Sequence, residues 1–459
     1  MTKYIEYFQV EAKCLLKDFK KNLPEAKSRC ETYFSGKSDL SLMNAQHVIA
    51  KEHGFDSWND LIKQEPHKLA ESLIVAKNKT LKNPFKLWHG CRIVSGYEEN
   101  KYPLYKPEDY PLEYDSKKKS FISSHGEYIS FEHLDVSEYD LSGIDPLKVR
   151  YSEDTKWPEE ASKLSKGFKP KEFLESRKNP GLGVRELHKA GIKGQGRNIA
   201  IIDSSDLSNH IEYHNNLKGY EEIGEKFLRG QSSGILSSIV GKTCGVAPLA
   251  NAYYYAADNK NFTSYENYAI ALKNIIELHK ELKSKGKSGI DVVYINSDLL
   301  NEVHSSREGS TDARLLIKEA ESLGIWCNCS GHLDFKENTK LRIGHIYCKL
   351  DGNVDNPDDY IPLRNPNSKW RLLDNYKNAF CFPCGAKTVA LGVKMDEYVF
   401  EHYSSIYASA FAAGLYLLAK SVKESITPYE FFDLGIKTGT FKKGVGTIIN
   451  PTRLIESLK

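Results

Sequence analysis

A serine becomes a nucleophile toward a carbonyl when a histidine takes its proton, a carboxylate fixes that histidine's tautomer and donors await the oxyanion. The chain holds residues of these types. Asp203 closes the short apolar run that starts at Arg197, where a buried strand would end. Ser404 and Ser405 follow closely on His402, and His332 follows the apolar run Gly324–Ser330. A hydrolase built from them would use Ser404 or Ser405 as nucleophile. Its base would be His402, or His332 oriented by Asp203, and the close spacing of His402 and Ser404 suits a mobile loop. A second chemistry is metal binding. Cys327-x-Cys329 and Cys381-x-x-Cys384 have ligand-like spacing. However, Cys327 and Cys329 alternate along an apolar strand, and neither pair is joined by a second well-spaced pair. They read as buried thiols, so no metal and no cofactor is expected.

The elements that would position these residues fall into three regions. Residues 1–83 read as helical, with Phe8, Ala12, Leu15 and Phe19, then Leu42, Ala45, Val48 and Ile49, at helical spacing. Gly54 ends the second run, Asp56 or Ser57 caps the next, and Trp58, Leu61 and Ile62 turn inward. The stretch AQHVIAKEHGFDSW resembles a small helical module found at the N-terminus of varied bacterial proteins, which implies helix packing and leaves His47 and His53 as surface or cap residues. Residues 84–175 are rich in Tyr, Pro, Lys and Asp with brief alternating stretches such as Glu127–Phe131, which predicts short strands and long loops, a prodomain-like or binding region. Residues 176–459 have α/β rhythm. Arg197–Asp203, Ala252–Ala256, Ile290–Asn296 and Gly324–Ser330 are apolar runs of buried-strand length, separated by helical stretches at Tyr268–Lys283 and Ala313–Leu323. That repeat predicts a doubly wound, mainly parallel sheet, with chemistry at the carboxyl ends of its strands.

Composition narrows the partners. The 459 residues are 40% hydrophobic and 27% charged with a net charge of +3, ordinary globular values. The basic runs Lys20–Lys21 and Lys117–Lys119 are short and read as solvated faces, so nucleic acid is not an expected partner. The opening residues are punctuated by Glu, Lys and Asp, without a signal-peptide core or a membrane span. With nine scattered cysteines, this predicts reduced thiols and a cytoplasmic protein.

The order of signals after Asn179 resembles the subtilisin-like serine proteases. Asn179–Leu182 and Ala190–Gly196 match the family's entry helix and GxG turn, and lead into Ile199–Asp203, the strand that ends in the family's aspartate. His210 stands where the family often has a non-catalytic histidine. Gly245–Pro248 matches the GVAP turn, and Ile426–Pro428, Thr438–Thr440 and Gly446–Pro451 match the closing series.

The resemblance implies a subtilisin-like α/β fold, and it also exposes departures. Where the family has HGTHVAG, this chain reads Gln231 to Ser237, which puts Gln231 at the histidine position; no histidine lies between His214 and His279. A glutamine amide cannot serve as general base near neutral pH. Where the family has GTSMATPHVAG, the alignment puts Ile406 at the serine position, or Ser405 if it slips by one; Ser404 and Ser405 otherwise read as caps of a helix from Tyr407 to Val422. His332 stands at the oxyanion asparagine, and Asp298 replaces the glycine that admits substrate backbone. Loss of either serine or histidine from such a triad costs about a million-fold in turnover. The expectation is a pseudoprotease that binds a protein or peptide, with a rewired serine hydrolase as the alternative.

Overall fold

The computed structural model describes residues 3–34, 39–64, 69, 85–88, 91–94, 112–123, 129–206, 209–223, 230–257, 264–297, 299, 309–329, 342–362, 379–392 and 395–459. The chain divides into two compact units, Met1–Lys86 with Ile93–Tyr102, and Leu87–Arg92 with Pro103–Lys459. The first unit is helical, with α1 (Lys3–Lys20), α2 (Pro24–Glu31), α3 (Leu42–Glu52) and α4 (Trp58–Leu61). Ser41 and Asn44 form a reciprocal capping box at the start of α3. Its end is a Schellman turn: Gly54 at φ 83° donates to Lys51 O, and Phe55 N donates to Ala50 O. Ser57 caps α4 through Asp60 N, which decides between the two candidate caps. His53 is the C-cap of α3, yet it is buried edge-on against Phe8 with ring centroids 4.8 Å apart, so it is a core residue as well.

The second unit is α/β. In chain order its strands are β1 (Phe85–Trp88), β2 (Cys91–Val94), β3 (Leu112–Asp115), β4 (Ser120–Ser123), β5 (Ile129–Ser130), β6 (Val149–Ser152), β7 (Asn198–Asp203), β8 (Leu217–Glu222), β9 (Asn251–Ala256), β10 (Val292–Ile295), β11 (Trp326–Cys329), β12 (Arg342–Cys348), β13 (Tyr360–Pro362), β14 (Ala379–Ala390), β15 (Tyr398–Tyr403), β16 (Thr440–Lys442) and β17 (Gly446–Ile448). Of these, β1 begins and β2 ends within the residues of the first unit. The helices are α5 (Pro170–Ser176), α6 (Val184–Lys189), α7 (Gly230–Val240), α8 (Glu266–Ser284), α9 (Ser310–Ser322), α10 (Ile406–Val422), α11 (Pro428–Thr438) and α12 (Pro451–Glu456).

Five parallel strands run in the order β11-β10-β7-β9-β8. All of β7 and β10 is buried, because helices cover both faces. On one face Ala200, Ile202, Val293, Ile295 and Cys327 pack with Leu272, Ile276 and Ile317 of α8 and α9. On the other, the Tyr294 hydroxyl donates to Ile406 O and Asn328 Nδ2 donates to Ser409 O, both carbonyls of α10, while α7 lies beside α10. The sheet is doubly wound, as the strand-helix rhythm predicts. Cys329 also packs against the α8–α9 core, and Cys381 and Cys384 are buried in β14, where burial pushes the Cys381 thiol up to about 12.

A second sheet runs β13-β12-β14-β15-β6-β5, with β17 on β14 and β16 on β17. Here the 84–175 stretch contributes β5 and β6. Its aromatic composition forms a core in which Phe121, Phe131, Tyr151, Trp157 and Phe168 meet Phe400 of β15, edge to face or tilted. On the opposite face of β6, Arg150 is 2% exposed and lies between Glu132 and Glu401, with Nε donating to Glu401 Oε1 at 2.8 Å.

Lys387 of β14 is the buried cation that burial penalises. It is 7% exposed, makes no hydrogen bond among the described residues, and stands 5.2 Å from the centroid of the Tyr407 ring. Desolvation pulls its pKa from 10.5 down to about 8. Below pH 8 the amine is protonated both folded and unfolded, so the penalty is fully present. Between 8 and 10.5 the unfolded chain binds more protons, and stability rises with pH. Lys387→Met is therefore expected to stabilise the fold at pH 7 by on the order of 3 kcal/mol, read by urea unfolding. The gain should shrink as pH rises from 8 to 10.5; a gain independent of pH would show that the charge is not its origin.

Candidate functional site

Asp203 ends β7 and is 2% exposed. Its Oδ1 accepts from the backbone N–H of Ser204 at 2.7 Å and from Asn296 Nδ2 at 2.9 Å. The parallel register explains Asn296: Ile202 lies beside Ile295, so the next residue of each strand shares the sheet's carboxyl edge. The Ser204 hydroxyl is 2.7 Å from that of Ser232, in the first turn of α7. Tyr254 donates to Ser204 O at 2.5 Å and stacks on Tyr220, with ring centroids 5.3 Å apart. Burial, then the charges of Asp203 and Asp206, holds its phenol well above the ordinary range.

The next residue of α7 is anchored as firmly. Ser233 donates to Asp206 Oδ1 and Tyr213 donates to Asp206 Oδ2 at 2.9 Å, all three buried. Ser237 accepts from Ala390 N at 3.0 Å. Gly234 faces Tyr407, whose hydroxyl would lie 2.4 Å from an added Cβ, so α7 approaches α10 too closely for a side chain there.

The sequence-expected residues take these places. Gln231 is the second residue of α7, beside Ser232, so the strand end bearing Asp203 and the start of this helix come together. Ile406 is the first residue of α10, half-buried, with its carbonyl held by Tyr294 at 3.2 Å. The helix thus begins one residue before the expected Tyr407. Ser405 occupies the N-cap position but its side chain makes no capping bond, and its backbone is already helical at φ −57° and ψ −27°. His402 lies within β15 and not in a mobile loop, and burial lowers its pKa to about 4, leaving it neutral. His332 and Asp298 lie outside the described residues. His210 is structural: burial drops its pKa to about 4, its Nε2 is 3.0 Å from Glu397 O, and its Nδ1 accepts from Glu212 N.

Sequence reading missed a second polar centre on the other sheet. His133, at φ 58° and fully buried, places Nδ1 2.6 Å from Asp154 Oδ2 and 3.4 Å from Glu397 Oε1, with Glu132 Oε1 3.8 Å from its Nε2. These residues come from distant parts of the chain and follow no motif spacing. The one local signal is Glu132-His133 inside an otherwise strand-forming stretch.

No protein-family model matches the chain, and none of the curated proteins is similar in sequence. Solved structures do resemble it. They include the prenylagaramide maturation protease PagA (13% identity, 60% of this chain and 98% of that one, TM-score 0.42). The PatG macrocyclase in complex with peptide is similar at 14% identity, over 60% of this chain and 95% of that one, with a TM-score of 0.43. Fervidolysin from Fervidobacterium pennivorans, a keratinolytic enzyme related to subtilisin, is similar at 11% identity, over 60% of this chain and 44% of that one, with a TM-score of 0.41.

Asp203 anchors the edge of the sheet whatever chemistry it serves. Asp203→Ala would leave the Ser204 N–H and the Asn296 amide without their acceptor, at a cost of about 1–3 kcal/mol in urea unfolding. Asp203→Asn keeps an acceptor oxygen and should cost less. Equal losses in the two variants would show that charge, and not the acceptor, does the anchoring.

Proposed function

We propose that residues 176–459 are a subtilisin-like domain without a working triad, and that the protein acts as a cytoplasmic scaffold that binds a protein or peptide. The observation that carries this reading is the first turn of α7. Its Ser232 meets Ser204, the neighbour of Asp203, and the helix Gly230–Val240, which includes Gln231 at the histidine position of the resemblance, contains no histidine. An aspartate with no imidazole to orient has no part in moving a serine proton. At the start of α10, Ile406 supplies a hydrocarbon where the nucleophile would stand, and Ser405 beside it is backbone-helical. His332 at the oxyanion position and Asp298 at the substrate edge extend the same argument to substrate binding. Asp203 stands at the carboxyl edge of the doubly wound sheet, where such folds place ligands.

The alternative, a serine hydrolase rewired around Ser404 or Ser405, is separated by direct labelling. The purified protein should not react with a fluorophosphonate probe and should not cleave casein. Labelling that Ser405→Ala abolishes would overturn the scaffold reading.

The double change Gln231→His with Ile406→Ser should leave casein uncut in a protein that still melts cooperatively. A triad needs its groups within hydrogen-bond reach on a supporting shell, and the loss of one oxyanion donor, such as the asparagine that His332 replaces in the resemblance, costs about a hundred- to a thousand-fold. Efficient cleavage by the repaired protein would show an intact groove and a loss confined to two positions.

A further inference from the structure

We propose that His133, Asp154 and Glu397 bind one divalent transition-metal ion, of the zinc or manganese class, which clips the 129–154 segment to the strand β15 region. One ligand atom from each of the three residues lies within 4.8 Å of the others. The set is one imidazole nitrogen and two carboxylates, a combination that suits zinc or manganese; calcium and magnesium prefer oxygen alone. Around zinc, bonds of about 2.0–2.2 Å put neighbouring tetrahedral ligands about 3.3 Å apart. Glu397 Oε1 already stands 3.4 Å from His133 Nδ1, and Asp154 Oδ2, at 2.6 Å, must retreat by well under an ångström.

Each ligand is held from behind. Ser152 Oγ donates to Asp154 Oδ1 at 2.6 Å and accepts from His133 N at 2.9 Å. The backbone of Glu397 is fixed by its carbonyl, which takes a bond from neutral His210 at 3.0 Å, and Leu391 N donates to the same oxygen at 2.9 Å. Glu132 Oε1 stands 3.8 Å from the far ring nitrogen of His133, an ion-pair distance beyond hydrogen-bond reach. Asp154 is the gate, its side chain 27% exposed while that of His133 is fully enclosed.

Charge argues for a cation as well. Arg150 pairs with Glu132 and Glu401, and His133 stands between the carboxylates of Asp154 and Glu397. One imidazolium proton offsets a single charge and a dication offsets two, so the ion relieves more of the cost of burying them. The competing occupant is that proton, with His133 charged between Asp154 and Glu397 and no metal.

The test uses the full chain. After dialysis against EDTA, the protein is titrated with Zn2+, Mn2+ or Ca2+, with bound metal counted by mass spectrometry of the desalted protein and stability followed by thermal melt. One Zn2+ or Mn2+ per chain is expected, with a melting temperature raised by a few degrees and no response to Ca2+. Co2+ should give visible absorption bands from a nitrogen–oxygen site. Asp154→Asn, at the exposed gate, and Glu397→Gln should each lower affinity by at least tenfold. The proposal is overturned if the chain retains no ion and EDTA leaves the melt unchanged, as the protonated-histidine arrangement requires. It is equally overturned if both variants bind as the parent does, which would place the ion elsewhere.

Discussion

The arrangement of the larger unit hangs on one buried guanidinium. Arg150 lies on β6 with 2% of its surface exposed, held between Glu401 of β15 and Glu132 of the corner before it. A charge buried this deeply is tolerable only while its partners stay in place, and removing one partner from such a pair costs about 3–5 kcal/mol. The pairing therefore holds β6, the corner at Glu132-His133 and β15 in register, with Phe400 beside Tyr151 on the reverse face. From β15 the chain runs straight through Ser404 and Ser405 into α10, whose first carbonyl is held by Tyr294 of the inner strand β10. A segment that looks like an appendage in sequence thus fixes where the helix of the candidate site begins.

The other wall of that site, α7, is held by hydroxyl groups. Ser232 meets Ser204, Ser233 meets Asp206 and Tyr213, and Ser237 receives Ala390 N. Small polar residues let a helix approach its neighbours closely, and every one of these hydroxyls is committed to a buried bond, which gives the helix a single seating. Ser233 donates its proton to the buried Asp206 and Ser237 donates to Gly234 O, so both hydroxyls are engaged in structure.

How much of this is legible in the sequence follows from what each element must bury. The four strands β7, β9, β10 and β11 are covered on both faces, so they read as unbroken apolar runs, and their observed limits fall within two residues of those runs. The antiparallel partners β14 and β15 carry Lys387, Glu401 and His402 among their apolar residues, and that polarity hides them. The edge strand β8, LKGYEE, is half exposed and equally hidden. Asp203 was legible because it ends a buried run, whereas Asn296 as its partner depends on the register of two parallel strands. The cluster at His133 depends on a corner, a turn and a strand from far apart in the chain, and no local pattern announces it.

The fold constrains Asp203 and the opening residues of α7 and α10 unequally. Asp203 is buried and bonded to two donors, so its loss would disturb the sheet edge itself. Gln231 and Ile406 stand in the first turns of their helices, where the backbone N–H groups have no intrahelical acceptors and helix formation asks little of the side chain. Ile406 is only half-buried, and exchanging its side chain there alters little of the packed interior. The fold thus constrains Asp203 through its buried bonds and constrains the first residues of the two helices far less.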